Sequence, residues 1–248
     1  MDGPSLALLA GVGLVAGTVN TVAGGGSLIT LPALILLGMP ASMANGTNRV
    51  GVMVQSLAAT VRFQREGALE TRRGLVLLVP ACAGSILGAW GSTLLPDLAF
   101  QRVIGVAMIV MLAVLWVRPK RWLEGADVPA RPTPARLLAF FGLGLYGGFL
   151  QAGVGVFLLA GLVLIEGLDL VGANGVKVLL VFGFTLPAMA LFWAADLIDW
   201  VPAMVLAAGS WVGGWLGTRL TLSWGPGFVR VVLLVVVLAS AGKLLVGP

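Results

Sequence analysis

Asn45 and Asn174 sit in two copies of one phrase, Ala44-Asn45-Gly46-Thr47-Asn48 in the first half and Ala173-Asn174-Gly175-Val176-Lys177 in the second. Each copy follows an uncharged glycine-rich stretch, Ala23-Gly24-Gly25-Gly26-Ser27 in one case and Gln151-Ala152-Gly153-Val154-Gly155 in the other, and each precedes a long apolar run. This combination suits the binding of anions. A helix beginning at Gly25 or Val154 would direct its first unpaired N–H groups and the positive end of its dipole into the break before it. Asn20, Thr21 and Ser27 in the first break and Gln151 in the second add neutral donors, while Gly24, Gly25, Gly26 and Gly153 let an oxyanion approach the main chain. Asn45 and Asn174 are expected to cap the helices that follow. Asn48 and Arg49 in one copy and Lys177 in the other come about a turn later, where a cation in an apolar segment lines a cavity or snorkels to a headgroup.

Little else in the chain reacts. There is no histidine and a single cysteine, Cys82, so the commonest metal and general-base ligand is missing and no internal disulfide can form. The carboxylates Asp97, Glu166, Asp169, Asp196 and Asp199 fall near the ends of apolar runs rather than in pairs, and no G-x-x-x-x-G-K-[ST] loop is present. No catalytic residue, metal or cofactor is therefore expected, and a membrane-embedded enzyme or assembly factor is the weaker alternative.

The elements that must position these residues are membrane helices. With 59% hydrophobic residues, 10% charged and a mean hydropathy of +1.05, the chain is composed for lipid as its solvent. Apolar runs read as spans over 45–61, 74–95, 103–117, 174–195, 200–218 and 231–246. Two longer runs, 5–37 and 137–165, would make helices of about 50 and 44 Å against a hydrocarbon core of about 30 Å, too long for one upright span and too short for two. Each is expected to be a pair of short helices meeting at a break inside the membrane, at Asn20 to Gly26 and at Gln151 to Gly155. Irregular backbone survives at that depth only where it is buried in protein or lines a cavity.

The echo between the halves continues beyond the break. Gly84-Ser85-x-x-Gly88-x-Trp90 returns as Gly209-Ser210-x-x-Gly213-x-Trp215, and Phe100-x-Arg102-Val103 as Phe228-x-Arg230-Val231. The small-xxx-small spacing predicts close helix packing, and Gln55 is expected to hydrogen-bond between helices. The expected architecture is an all-α integral membrane protein of two inverted-topology repeats, residues 1–117 and 136–248, joined by a basic, proline-rich linker over 118–135. Each repeat opens with a Gly-broken or re-entrant helix, giving roughly eight to ten membrane segments.

Charge sets the orientation. Arg62, Arg65, Arg72 and Arg73 outnumber Glu66 and Glu70 in the first turn, and Arg118, Lys120, Arg121, Arg131 and Arg136 dominate the linker, so both are placed inside. The corresponding turn of the second half, Ala194 to Trp200, carries only Asp196 and Asp199 and is placed outside, which is what inversion requires. On this scheme the loop holding Glu166 and Asp169 falls inside despite its two acids. Trp90, Trp116, Trp122, Trp200 and Trp224 near span ends are expected as interfacial anchors. The net charge of +5 belongs to cytoplasmic loops rather than to a nucleic-acid surface.

The pattern Ala16-Gly17-x-x-Asn20-x-x-Ala23-Gly24-Gly25-Gly26-Ser27 leading to Leu31-Pro32, then Gly38-Met39-Pro40 and Ala44-Asn45-Gly46-Thr47-Asn48, resembles the TauE/SafE family of sulfite and organosulfonate exporters. The resemblance runs through nearly the whole chain. It implies a multi-pass transporter of the bacterial inner membrane that exports small sulfur oxyanions of the sulfite, organosulfonate or thiosulfate class. Its partners would then be that oxyanion and membrane lipid, with homo-oligomerisation and another small anion or a neutral solute as open alternatives. The second copy has Val156-Phe157 where the first has Gly26-Ser27, so its tip is expected to shape the cavity more than to bind.

Overall fold

The computed structural model describes residues 2–103, 106 and 133–245, with the side chains of Arg230 and 233–245 left aside. The expected span 103–117, most of the linker 118–135, Trp116 and Trp122 lie outside the described residues. The helices are α1 Gly3–Ala23, α2 Ser27–Leu36, α3 Ala41–Arg65, α4 Thr71–Thr93, α5 Pro134–Phe149, α6 Val154–Leu164, α7 Leu170–Ala194 and α8 Trp200–Leu245. Residues 97–103 are helical as well. The run called α8 is broken at Gly225, whose φ of 66° and ψ of −164° stop one helix before Pro226 starts the next. Three helices, α1, α4 and α7, are each long and apolar enough to cross a bilayer.

Helix starts are set by oxygen acceptors. The Asp2 carboxylate accepts from Ser5 N at 3.1 Å, Thr133 Oγ1 from Arg136 N at 3.4 Å, and Asp169 from Val171 N and Gly172 N at 2.8 and 3.1 Å. The start of α3 has no such neighbour of its own. Asp97 reaches it from the start of the distant 97–103 helix, accepting from both Ser42 N and Ser42 Oγ at 2.8 Å. Burial alone would raise the Asp97 carboxyl, but the Ser42 and Ala41 donors outweigh it and hold it below its ordinary range.

Both long apolar runs are broken where glycine was expected to break them. α1 ends on Gly24 in the left-handed region (φ 83°), and α6 begins after Gly153, also left-handed (φ 68°). The first pair departs from the expected two short helices. α1 has 21 residues, about 31 Å and enough to span, so only α2 is short. In the second pair α5 and α6 have 16 and 11 residues and are both short.

The largest helix–helix interfaces, α1 on α8, α4 on α5, α3 on α8 and α4 on α7, each join one half to the other. Glycine makes two of them possible. A Cβ on Gly84 or Gly88 would stand 2.1 and 2.0 Å from the carbonyls of Phe141 and Leu145, and one on Gly144 or Gly148 would stand 2.1 and 2.0 Å from those of Ala81 and Ser85. The α1–α8 contact repeats the arrangement: Gly209 and Gly213 face the Ala10 and Leu14 carbonyls, Gly13 and Gly17 those of Leu206 and Ser210. The repeated Gly-x-x-x-Gly spacing is therefore a backbone-on-backbone zipper.

Residue numbers advance together along these contacts, so α1 runs parallel to α8 and α4 parallel to α5. Thr47 meets Asp199, Gly51 meets Leu206 and Gly214 meets Gln55, so α3 also runs parallel to α8. α3 and α7 oppose one another, since Gly46 abuts Phe192 and Leu197 while Gly175 abuts Ala68 and Leu69. The basic turn after α3 and the acidic turn after α7 thus lie at opposite ends of the bundle. The loop of Glu166 lies with the basic turn, and its acid is accounted for. Glu166 pairs with Arg136 at 3.8 Å and Arg73 at 3.9 Å, and burial pushes its carboxyl upward against the pull of both arginines.

The bundle is apolar outside and polar inside. Leu75, Val79, Ile86 and Trp90 of α4 and Val201, Met204, Trp211 and Trp215 of α8 are exposed, whereas Asn45, Arg49, Gln55, Asn174 and Lys177 are at most 2% exposed. This inverts the pattern of a water-soluble protein and fits a lipid-facing shell. Replacing Gly88 or Gly148 by leucine should cost at least the ~1–3 kcal/mol of an overpacked core and lower the melting temperature in detergent. Gly91→Ala, with nothing within 4 Å of its added Cβ, should melt as wild type does; equal tolerance at all three positions would contradict the zipper.

Candidate functional site

The two breaks meet at the centre of the molecule. A Cβ on Gly24 would lie 2.2 Å from the carbonyl carbon of Gly155, and one on Gly155 would lie 2.5 Å from the Cα of Gly24. Only glycine at both positions lets the tips touch. A helix that stops inside the bundle leaves its last carbonyls without partners and its negative dipole end buried. Each half answers this need for the other. Asn45 Nδ2 donates to Phe149 O at 3.0 Å, and the Arg49 guanidinium donates to Gly147 O at 3.2 Å and to Gly148 O, closing the end of α5. Asn174 Nδ2 donates to Val22 O at 2.9 Å, and Lys177 Nζ donates to Asn20 O at 3.0 Å and Thr21 O at 2.8 Å, closing the end of α1. The acceptors correspond residue for residue, with Asn20, Thr21 and Val22 matching Gly147, Gly148 and Phe149, while the cations are offset by one position, Lys177 aligning with Asn48 rather than Arg49.

Asn45 and Asn174 are therefore not N-caps. α3 starts at Ala41 and α7 at Leu170, so both asparagines lie in the second turn of their helix, and the cap of α7 is Asp169. Their amides are drawn across the bundle because the stranded carbonyls of the opposite hairpin are the nearest unsatisfied acceptors. Lys177 uses its third proton on Asn174 Oδ1, so its ammonium is fully engaged. Arg49 lies with its guanidinium carbon 4.2 Å from the centre of the Phe192 ring, a cation–π contact that shields the charge further.

The polar side chains of the first tip converge separately. Asn20 Nδ2 donates to Gln55 Oε1 at 2.7 Å, Gln55 Nε2 donates to Thr21 Oγ1 at 2.9 Å, and Gly26 N donates to Asn20 Oδ1 at 3.3 Å. Asn48 Nδ2 donates to Ser27 Oγ at 3.2 Å and Thr30 Oγ1 donates to Asn48 Oδ1. Between these groups lies a cavity of about 10 Å³, room for roughly one water, lined by Asn20, Gly26, Ser27, Thr30, Asn48, Gln55 and Ser210 among others. Every polar side chain in its wall is neutral.

Of the residues singled out in the sequence, Asn20, Gly26, Ser27 and Asn48 line this cavity, with Thr21 behind Gln55. Gly24 and Gly25 form the turn, while Asn45, Arg49, Asn174 and Lys177 form the braces. Gln151 and Gly153 belong to the second tip. There Gln151 Nε2 donates to Thr185 Oγ1 at 2.8 Å, and Gln151 itself takes a left-handed φ of 59°, the counterpart of Gly24. Sequence reasoning missed Thr30 and Ser210. Thr30 was detectable three residues after Ser27, on the same helical face. Ser210 carried only a packing signal, through the glycines beside it.

A buried polar network inside an apolar, lipid-facing shell of helices defines a multi-pass membrane protein. The family model described as "Sulfite exporter TauE/SafE" matches residues 9–244, and the chain belongs to that family. A probable membrane transporter protein from Sinorhizobium sp is 27% identical over 245 residues, covering 98% of this chain and 93% of its own length. One from Haemophilus influenzae is 30% identical over 239 residues, covering 96% and 94%. The probable membrane transporter YfcA of Escherichia coli K12 is 27% identical over 240 residues, covering 97% and 89%. No solved structure matches. The protein is thus a multi-pass bacterial membrane protein.

Lys177→Met would strand the Asn20 and Thr21 carbonyls, at about 1–3 kcal/mol for a buried group left unpaired. Its melting temperature in detergent should fall clearly, with Lys177→Arg recovering part of the loss. A methionine variant as stable as wild type would show that the brace does not hold the tip.

Proposed function

We propose that this transporter exports small sulfur oxyanions, of the sulfite, organosulfonate or thiosulfate class, and binds them at the tip of the first broken helix. The observation that carries this reading is the convergence of Asn20, Ser27, Thr30, Asn48 and Gln55, all buried, on one cavity at the start of α2. Amides and hydroxyls that now bond to one another are the donors an oxyanion needs, and the α2 dipole adds a positive end. Opposing it is the negative end of α1. Lys177 lies on that end, at the Asn20 and Thr21 carbonyls, so its charge offsets the α1 dipole and leaves the tip electropositive without touching the ligand. The family description supports the sulfur class and the direction.

The cavity as it stands is smaller than any sulfur oxyanion, so the helices around it must part for substrate to enter. Inverted repeats supply a way. α1, α3 and α8 run one way and their counterparts α5, α7 and α4 the other, which supports two halves related by an axis in the membrane plane. Rocking about the Gly24–Gly155 contact would then open the site to each side in turn. The neutral wall of the cavity favours a second reading, a neutral polar solute, which the same assay separates.

In proteoliposomes, sulfite or a small sulfonate should be carried and a neutral amino acid should not. Asn48→Leu should reduce flux at least about tenfold, corresponding to about 1.4 kcal/mol, within the range of one lost hydrogen bond to a charged group. Flux unchanged in a well-folded Asn48→Leu protein would remove the tip as the site, and transport of the amino acid alone would favour the neutral solute.

Energy coupling follows from where the acids are. Every described Asp and Glu stands in a loop or at a helix end, so no acid sits mid-membrane among the described residues to relay protons. An anion leaving a cell that is negative inside gains about 2.3 kcal/mol per charge per 100 mV. Efflux should therefore rise with a clamped potential at zero pH gradient and be insensitive to a protonophore; flux requiring a proton gradient at zero voltage would refute electrogenic uniport.

A further inference from the structure

On the outer face of the bundle, away from the tips, α3 and α8 enclose a groove of about 530 Å³ lined by Ala58, Val61, Arg62, Arg65, Glu66, Trp211 and Trp215. We propose that it is a binding site for one anionic phospholipid, with the phosphate held by Arg62 and Arg65 and an acyl chain lying along Val61, Trp211 and Trp215. Four observations point to this occupant.

The first is depth. Trp200 and Trp215 stand fifteen residues apart on one helix, about 22 Å along its axis. That separation places Trp215 toward the membrane face opposite the one Trp200 marks, level with the last turn of α3. The second is the mixed character of the wall. Trp211 and Trp215 are each 47% exposed one turn apart, an apolar surface turned to lipid, while the arginines form its polar edge. The third is charge. Arg62 leans on Glu66 only loosely, at 3.9 Å, and Arg65 forms no ion pair among the described residues, so the groove keeps a net positive charge. The fourth is geometry. The Arg62 guanidinium carbon sits 4.3 Å from the centre of the Trp215 ring and Nη1 donates to Trp215 O at 3.4 Å, while its buried Nε–H has no partner. Arg62 is thereby held in place along the groove wall, its guanidinium plane fixed by Trp215 beside the exposed Arg65, as a phosphate clamp requires. The acidic turn of the second half, with Asp196 and Asp199, offers no counterpart, and the groove lies at the basic end of the bundle, where anionic headgroups attract arginine.

The test uses the full chain in liposomes carrying brominated-acyl phosphatidylglycerol or brominated-acyl phosphatidylcholine, reading the quenching of the fluorescence that Trp215→Phe removes. The expected result is stronger quenching by phosphatidylglycerol, with affinity falling about fivefold for each arginine changed to glutamine. Arg65→Gln alone, on an exposed side chain, keeps the test informative should the double variant not fold. Arg72→Gln, outside the groove, should leave the preference intact. Equal quenching by the two lipids, or an equal loss with Arg72→Gln, would overturn the site. Displacement of phosphatidylglycerol by inorganic phosphate would assign the arginines to a soluble anion and overturn the lipid reading; its failure to displace supports it.

Discussion

A helix that ends inside a membrane protein must find partners for its last carbonyls, and the rest of this structure depends on how that need is met. Water and lipid headgroups are out of reach, and a stranded carbonyl in hydrocarbon costs several kcal/mol. The chain meets the need by exchange. Asn45 and Arg49 of the first half close α5 of the second, and Asn174 and Lys177 of the second close α1 of the first. Each broken helix is thus stable only in the presence of the other half.

This exchange explains why the halves interlock rather than stand side by side. The glycine zippers pair α1 with α8 and α4 with α5, both across the halves, and bring the two tips together at Gly24 and Gly155. It also decides what the buried cations do. A lysine and an arginine in the middle of a membrane protein suggest direct contact with an anion, yet both are consumed by backbone carbonyls. Their charge acts on the interior only through the field they cancel, that of the helix ends they cap. The cavity is then lined by neutral donors alone, with no charge facing into it that would have to be desolvated.

The two halves differ at their tips. The asparagines of the braces match and the cations are offset by one residue, Arg49 four after Asn45 and Lys177 three after Asn174, but only the first tip has Ser27, Thr30 and Asn48 around a cavity. At the second, Gln151 turns to Thr185, and Val154, Val156 and Leu158 pack into the core. One half carries the polar cavity and the other completes the frame.

Composition and local pattern by themselves determined the membrane class, the helix breaks and the packing glycines, because these follow from hydropathy, from glycine's freedom at positive φ and from small-residue spacing within one segment. The TauE/SafE signature was equally local. The partners of Asn45, Asn174, Arg49 and Lys177 were decided only by the tertiary structure, since their acceptors are carbonyls some 100 to 157 residues away that carry no side-chain signal. The same holds for Gln55 and Ser210 in the cavity wall and for Gln151 at a left-handed φ. A sequence records which donors a segment has, but which acceptor each one finds depends on how helices from opposite halves are brought into contact.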